Sequence, residues 1–159
     1  MRIIGIDPGT GILGFGVIDY DRDKTTLVDA GVIRTVAGEP DAKRLEVIYL
    51  ELSEIIKATK PTVMSVEKLF FAKNVTTAMT VSQARGVILL CGRQAKLDIY
   101  EYTPLQIKQS LTGYGRAEKK QIQEMVKVIL ALKEVPKPDD CADALAAAIT
   151  HSMMLNGLS

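Results

Sequence analysis

The stretch Ile3-Ile4-Gly5-Ile6-Asp7-Pro8-Gly9-Thr10 decides the fold. A short apolar run ends in an acid and is stopped at once by Pro-Gly, a turn signal, so it reads as a strand with Asp7 at its rim. The apolar residues do not alternate, as expected of a central strand covered on both faces. Gly11, Gly14 and Gly16 follow, and at such positions a second chain segment or a ligand approaches the backbone without meeting side chains. A carboxylate held rigidly at a strand end suits a metal ligand. It equally suits an Asx-type turn before Pro8, and this stretch leaves both readings open.

Outward from that strand, Phe15 to Asp19 and Thr25 to Thr35 are β-rich runs separated by a charged turn, so the first three strands are predicted to form an antiparallel meander. The period then changes. Leu45, Ile48, Tyr49, Leu52, Ile55 and Ile56 recur at helical spacing, predicting an amphipathic helix over 41–59 that Pro61 closes. Thr62 to Val66 is a fourth strand with Glu67 at its end. Phe70, Phe71 and Lys73 lie in a polar-flanked loop, where packing is the ordinary role of such aromatics. A second helix is expected over 76–96, with Gly86 and Gly92 permitting close packing, then a fifth strand over 99–102. Thr103-Pro104 opens a short helix as N-cap and first-turn proline, and a further helix is expected over 117–132. The last helix runs from Asp139, its expected cap, through His151. Asp140 and Asp143 share one face of its first turn, near the positive end of the helix dipole. Asp143 borders the small-residue run Ala144 to Ala148, where an acid is costly unless paired or metal-bound.

Composition bounds the function. With 159 residues and 47% apolar content the chain supports one domain with a real core. No run of 18 apolar residues occurs and the N-terminus enters a strand without a basic leader, so a cytoplasmic protein is expected. Cys91 and Cys141 are in no metal or redox spacing and read as reduced core residues. The net charge is only +1, but the middle is basic: residues 68 to 123 carry 9 Lys/Arg against 3 Asp/Glu, with no acid between Glu67 and Asp98. A solvated helix face and a polyanion-facing surface both account for this run.

A sheet with strand one beside strand four would gather Asp7, Glu67, Asp140 and Asp143. Their repulsion then calls for cations, and hard oxygen donors without His or Cys select Mg²⁺ or Mn²⁺. Such a set commonly holds two ions astride a phosphodiester, which points to hydrolysis of a nucleic-acid backbone. His151 lies on the same stripe but about 12 Å beyond Asp143, and reads as structural.

These residues carry a resemblance. The order of elements with acids at these points is similar to the ribonuclease-H-like superfamily, an α/β class with a five-stranded mixed sheet flanked by helices. Within it the chain resembles the RuvC-type Holliday junction resolvases. The specific pieces are Gly5 to Gly9, Val66-Glu67 to Asn74, Gln83 to Gly86, Tyr102 through Lys108, Gly113 to Gln121, and Cys141 to Leu145 running on to His151. The resemblance covers essentially the whole chain, as a single RuvC-like domain over 1–159. It places Asp7, Glu67, Asp140 and Asp143 as catalytic metal ligands, Phe70 as an aromatic that stacks on a base at the crossover, and Lys108 and Lys119 beside the DNA backbone. Lys73, Arg85 and Lys120 complete the DNA-facing set. It further implies magnesium-dependent nicking of opposed strands of four-way junction DNA, a homodimer, and a RuvA-RuvB branch-migration complex as partner. The small-faced second helix is the candidate dimer contact, unless that face covers the sheet. A related nuclease acting on RNA or simpler DNA is the alternative. Actin-like ATPases share the Asp-Pro-Gly-Thr turn but need a second phosphate loop and about twice the length, and intact acids at all four places argue against a binding-only protein.

Overall fold

The computed structural model describes residues 1–22, 24–68 and 75–157. The elements run β1 (Arg2–Asp7), β2 (Ile12–Asp21), β3 (Lys24–Arg34), α1 (Asp41–Thr59), β4 (Val63–Glu67), α2 (Val75–Gln94), β5 (Asp98–Tyr102), α3 (Pro104–Thr112), α4 (Lys119–Ile129) and α5 (Asp139–Asn156). They form one five-stranded sheet in the order β3-β2-β1-β4-β5. The first three strands are the expected antiparallel meander, and β4 and β5 add parallel to β1.

Helices cover both faces. Even-numbered residues of β1 and β4 (Ile4, Ile6, Met64, Val66) pack with Ile48, Leu52 and Ile56 of α1 and Ala84, Ile88 and Cys91 of α2. Odd-numbered Ile3 and Val63 pack on the other face with α3, α4 and α5. Gly92 belongs to the first layer, because a Cβ there would meet the Met64 sulfur at 2.9 Å, whereas one on Gly86 would meet nothing within 4 Å. The Ala84, Ile88 and Cys91 face of α2 therefore covers the sheet rather than a second copy. Both cysteines are free and buried.

Helix α5 is buried along almost its whole length from Cys141 to Ser152, as a helix apolar on all sides must be. It sits closer to the sheet than ordinary side chains permit. A Cβ on Gly5 would lie 2.0 Å from the Ala144 carbonyl oxygen, and one on Gly14 would lie 2.0 Å from the Asp140 carbonyl oxygen. The segment that approaches the glycines is thus the protein's own last helix. Ser65 fixes the register from the neighbouring strand by donating to the Ala147 carbonyl at 2.6 Å.

Three sequence-based boundaries shift for local reasons. β2 begins at Ile12, earlier than Phe15, since Gly14 pairs with Asp7 inside the ladder. α4 begins at Lys119 because Glu118 and Gln121 close a capping box, and it stops at Ile129, two residues before Ala131 turns to φ 52°. Asp139 does not cap α5: Pro138 is the N-cap, no side-chain cap bond forms, and the Asp139 carboxylate turns toward α4. The Thr103 cap and first-turn Pro104 stand as expected, with Gln106 completing a capping box.

Gly5→Ala should lower the unfolding free energy by about 3 kcal/mol or more, because backbone rather than a flexible side chain must move. Urea denaturation measures it, and a loss below about 1 kcal/mol would show that α5 is free to lift off the sheet.

Candidate active site

Strand parity begins the site. In β1 the residues facing α5 are Ile3, Gly5 and Asp7, and in β4 they are Val63, Ser65 and Glu67. The parallel register pairs Ile3 with Val63 and Gly5 with Ser65, so Asp7 and Glu67 come next on the same face of adjacent strands. The two carboxyl groups are hydrogen-bonded to each other. Asp140 is placed by the glycine floor, because its carbonyl rests on Gly14 and Gly14 is the ladder partner of Asp7. Asp143 follows one turn along, and its charge acts on Glu67 more strongly than that of any other acid.

Electrostatics make the cluster costly by itself. Burial first, then the charges of Glu67, Asp143 and Asp140, push Asp7 up to about 8. Burial and the charge of Asp143 likewise raise Glu67, while its bond from Asp7 and the ammonium groups of Lys119 and Lys108 pull it down. The pair as a whole is therefore held above the ordinary carboxylate range. Asp143 is raised by burial, partly offset by Lys119.

Lys119 crosses from the first turn of α4 to lie 3.1 Å from Asp143 and 3.3 Å from Asp139. Burial works against its charge, but the two carboxylates outweigh it and raise the lysine above its ordinary value. Beside it opens a cleft of about 270 Å³ lined by Glu67, Lys108, Lys119 and Asp143, with Pro104, Ile107 and Ile122 as its apolar wall. The loop that leaves Asp7 is strapped from behind. Thr35 Oγ1 donates to the Thr10 carbonyl at 2.6 Å, and Arg44 Nε donates to Thr35 Oγ1 at 2.9 Å.

The four acids foreseen from the sequence are thus brought into one neighbourhood. Among the described residues no three His, Cys, Asp or Glu side chains converge on a single ligating point. Lys119 draws Asp143 toward α4. The donor set is nevertheless oxygen only, anionic and short of compensating charge, which fits a hard divalent cation. Lys108 and Lys119 flank the cleft, whereas Lys120 is exposed on the next position of α4. Arg85 makes an ion pair with Glu101, its Nε donating at 2.8 Å, and so ties α2 to β5. Phe70 and Lys73 lie outside the described residues. His151 is buried at the far end of α5, its Nδ1 2.8 Å from the Tyr102 hydroxyl.

Sequence reasoning missed Asp139 and Gln123 as part of this network. Gln123 Nε2 donates to Asp139 Oδ1 at 3.0 Å. The signal was present in the spacing, since Gln123 is four residues beyond Lys119 and Asp139 four before Asp143.

The raised Asp7 has a consequence for stability. Below about pH 3.8 the group is protonated folded or unfolded. As pH rises toward 8 the unfolded chain loses a proton that the folded chain keeps, so stability falls through that window and levels off above it. In EDTA, Asp7→Asn should therefore stabilise the protein by a few kcal/mol at pH 8 and by much less at pH 5. A melting temperature lowered at pH 8 would contradict the repulsion.

Comparison with known proteins agrees with this geometry. The family model described as "Crossover junction endodeoxyribonuclease RuvC" matches residues 3–151. A relative of that name from Brevibacillus brevis is 59% identical over 152 residues, covering 96% of this chain and 92% of the relative. The Thermus thermophilus RuvC structure superposes with a TM-score of 0.92 at 36% identity, covering 99% of this chain and 96% of that one. The same protein solved in complex with Holliday junction substrate gives 0.91 at 34% identity, with the same coverage. With the family model spanning nearly the whole chain and the fold matching throughout, the chain belongs to the RuvC family of crossover junction endodeoxyribonucleases.

Proposed function

We propose that this chain resolves four-way DNA junctions by metal-dependent hydrolysis, nicking two opposed strands and leaving 5′-phosphate and 3′-hydroxyl ends. The observation that carries it is the gathering of four carboxylates from β1, β4 and α5 into one neighbourhood beside a cleft flanked by Lys108 and Lys119. A relative solved with Holliday junction substrate over the same fold supports the choice of DNA.

Asp7, Glu67, Asp140 and Asp143 are the residues that would hold Mg²⁺ or Mn²⁺, two ions to a site. When bound, such ions supply Lewis-acid activation of the attacking water and stabilisation of the leaving 3′ oxygen. The chain does the rest. The sheet and the seated first turn of α5 fix the backbone from which the carboxylates reach, so only side-chain rotation is needed to bring them onto a cation. Lys108 and Lys119 attract and position the phosphate backbone at the cleft, and Lys120 and the basic middle extend that field. Phe70 is proposed to stack on a base at the crossover, as in the family the chain resembles, and Lys73 is proposed to bind DNA.

Paired nicks need paired sites, which a C2 homodimer presents naturally. Val75, Met79, Gly86 and Leu90 form one stripe along the outer side of α2, and the three large side chains among them are more than half exposed. That stripe is the proposed contact with a second copy, with the RuvA-RuvB complex as further partner. No helix among the described residues is long and apolar enough to cross a membrane. Action in the cytoplasm is proposed with the rest.

A synthetic four-way junction, a linear duplex and an RNA:DNA hybrid, each with Mg²⁺ and with EDTA, test the reading. Only the junction with Mg²⁺ should be cut, and preferential cutting of the hybrid would favour the RNA-directed alternative. Asp7→Asn, Glu67→Gln and Asp143→Asn should each abolish cleavage while junction binding persists, and near wild-type turnover in any of them would remove that residue from the metal set. Met79→Glu should yield a monomer that accumulates singly nicked cruciform plasmid. Linear product from a stable monomer would refute the paired-site reading.

A further inference from the structure

Asp139 opens α5 without capping it, and its two oxygens are engaged separately. Oδ1 accepts from Gln123 Nε2 at 3.0 Å, and Oδ2 lies 3.3 Å from Lys119 Nζ. Lys119 and Gln123 are four residues apart on α4, so one helix face supplies both donors. The same ammonium lies 3.1 Å from Asp143 Oδ2, four residues beyond Asp139 on α5. Four side chains therefore form a chain of contacts across the α4–α5 junction at the mouth of the cleft, and only one of the two carboxylates that share Lys119 belongs to the proposed metal set.

This sharing has a chemical meaning. An ammonium paired with Asp143 alone would compete with a divalent cation for the same oxygens. An ammonium shared with an acid outside the set leaves Asp143 able to turn toward a cation, while the lysine stays where the DNA backbone passes. Gln123 completes the arrangement by fixing the carboxylate plane of Asp139, so the second anchor stands ready before the cation arrives.

We propose that Asp139, oriented by Gln123, is a positioning residue that holds Lys119 at the cleft mouth and draws part of its charge away from Asp143. The inference rests on the reading of Asp143 as a metal ligand and deepens it.

The test is calorimetric titration of Mn²⁺ into the DNA-free protein, with folding of each variant checked by thermal melting. Asp139→Asn should weaken Mn²⁺ binding about two- to fivefold, the range expected when a partly exposed ion pair is redistributed. Asp139→Glu should restore it. In a Lys119→Met background, Asp139→Asn should change the affinity by less than about 1.5-fold, since no ammonium remains to be held. Gln123→Ala should weaken binding in the same direction by less. Equal weakening by Asp139→Asn with and without Lys119 would overturn the proposal in favour of a general charge effect or a simple helix staple. Unchanged affinity in the single variant would overturn it also. If Mn²⁺ binds wild type and Asp7→Asn alike, the metal reading itself fails and takes the inference with it.

Discussion

Everything in this molecule depends on how closely one helix lies on one sheet. The backbone of α5 rests on Gly5 and Gly14 at a distance only a glycine hydrogen permits, and Gly16 lies under Leu145. That contact sets the height and rotation of the helix, and with them the place where Asp140 and Asp143 emerge. An added methyl group under Ala144 or Asp140 would lift the first turn away from the strand ends. The two acids of β1 and β4 would then face solvent instead of a second pair of carboxylates.

The cost of this arrangement is electrostatic. Four partly buried acids repel, and Asp7 answers by holding its proton to about pH 8. A fold selected for stability alone would replace one of them with an amide or an apolar residue. Their presence together marks a site built for cations, and the lysine that bridges Asp139 and Asp143 shows the same demand for positive charge met partly from within the chain.

Much of this was legible from residue order. Short β-rich runs, the Pro-Gly stop and the shift to helical spacing at Leu45 placed every strand and helix within a few residues. The strand-end positions of Asp7 and Glu67 followed directly, because each acid closes an apolar run, while the role of Asp7 stayed open between metal ligand and turn. The glycines announced that something approaches the backbone, but not that it is α5, since tertiary partners leave no mark on local sequence. Asp139 was misread as a cap because capping is the commonest use of an acid before a helix, and its true partners come from α4. The Arg85 pairing with Glu101 was hidden for the same reason. On α2 the sequence showed a small-residue face without saying whether it meets the sheet or a second copy, and Gly92 against Met64 decides it.

The central claim is that the glycine-seated α5 delivers its two acids to the two strand-end acids as a single cation site. Anomalous scattering from crystals grown with Mn²⁺ and junction DNA tests it most directly. Two peaks enclosed by Asp7, Glu67, Asp140 and Asp143 are predicted. Peaks located elsewhere, or bound by the strand acids with both α5 carboxylates turned away, would contradict it.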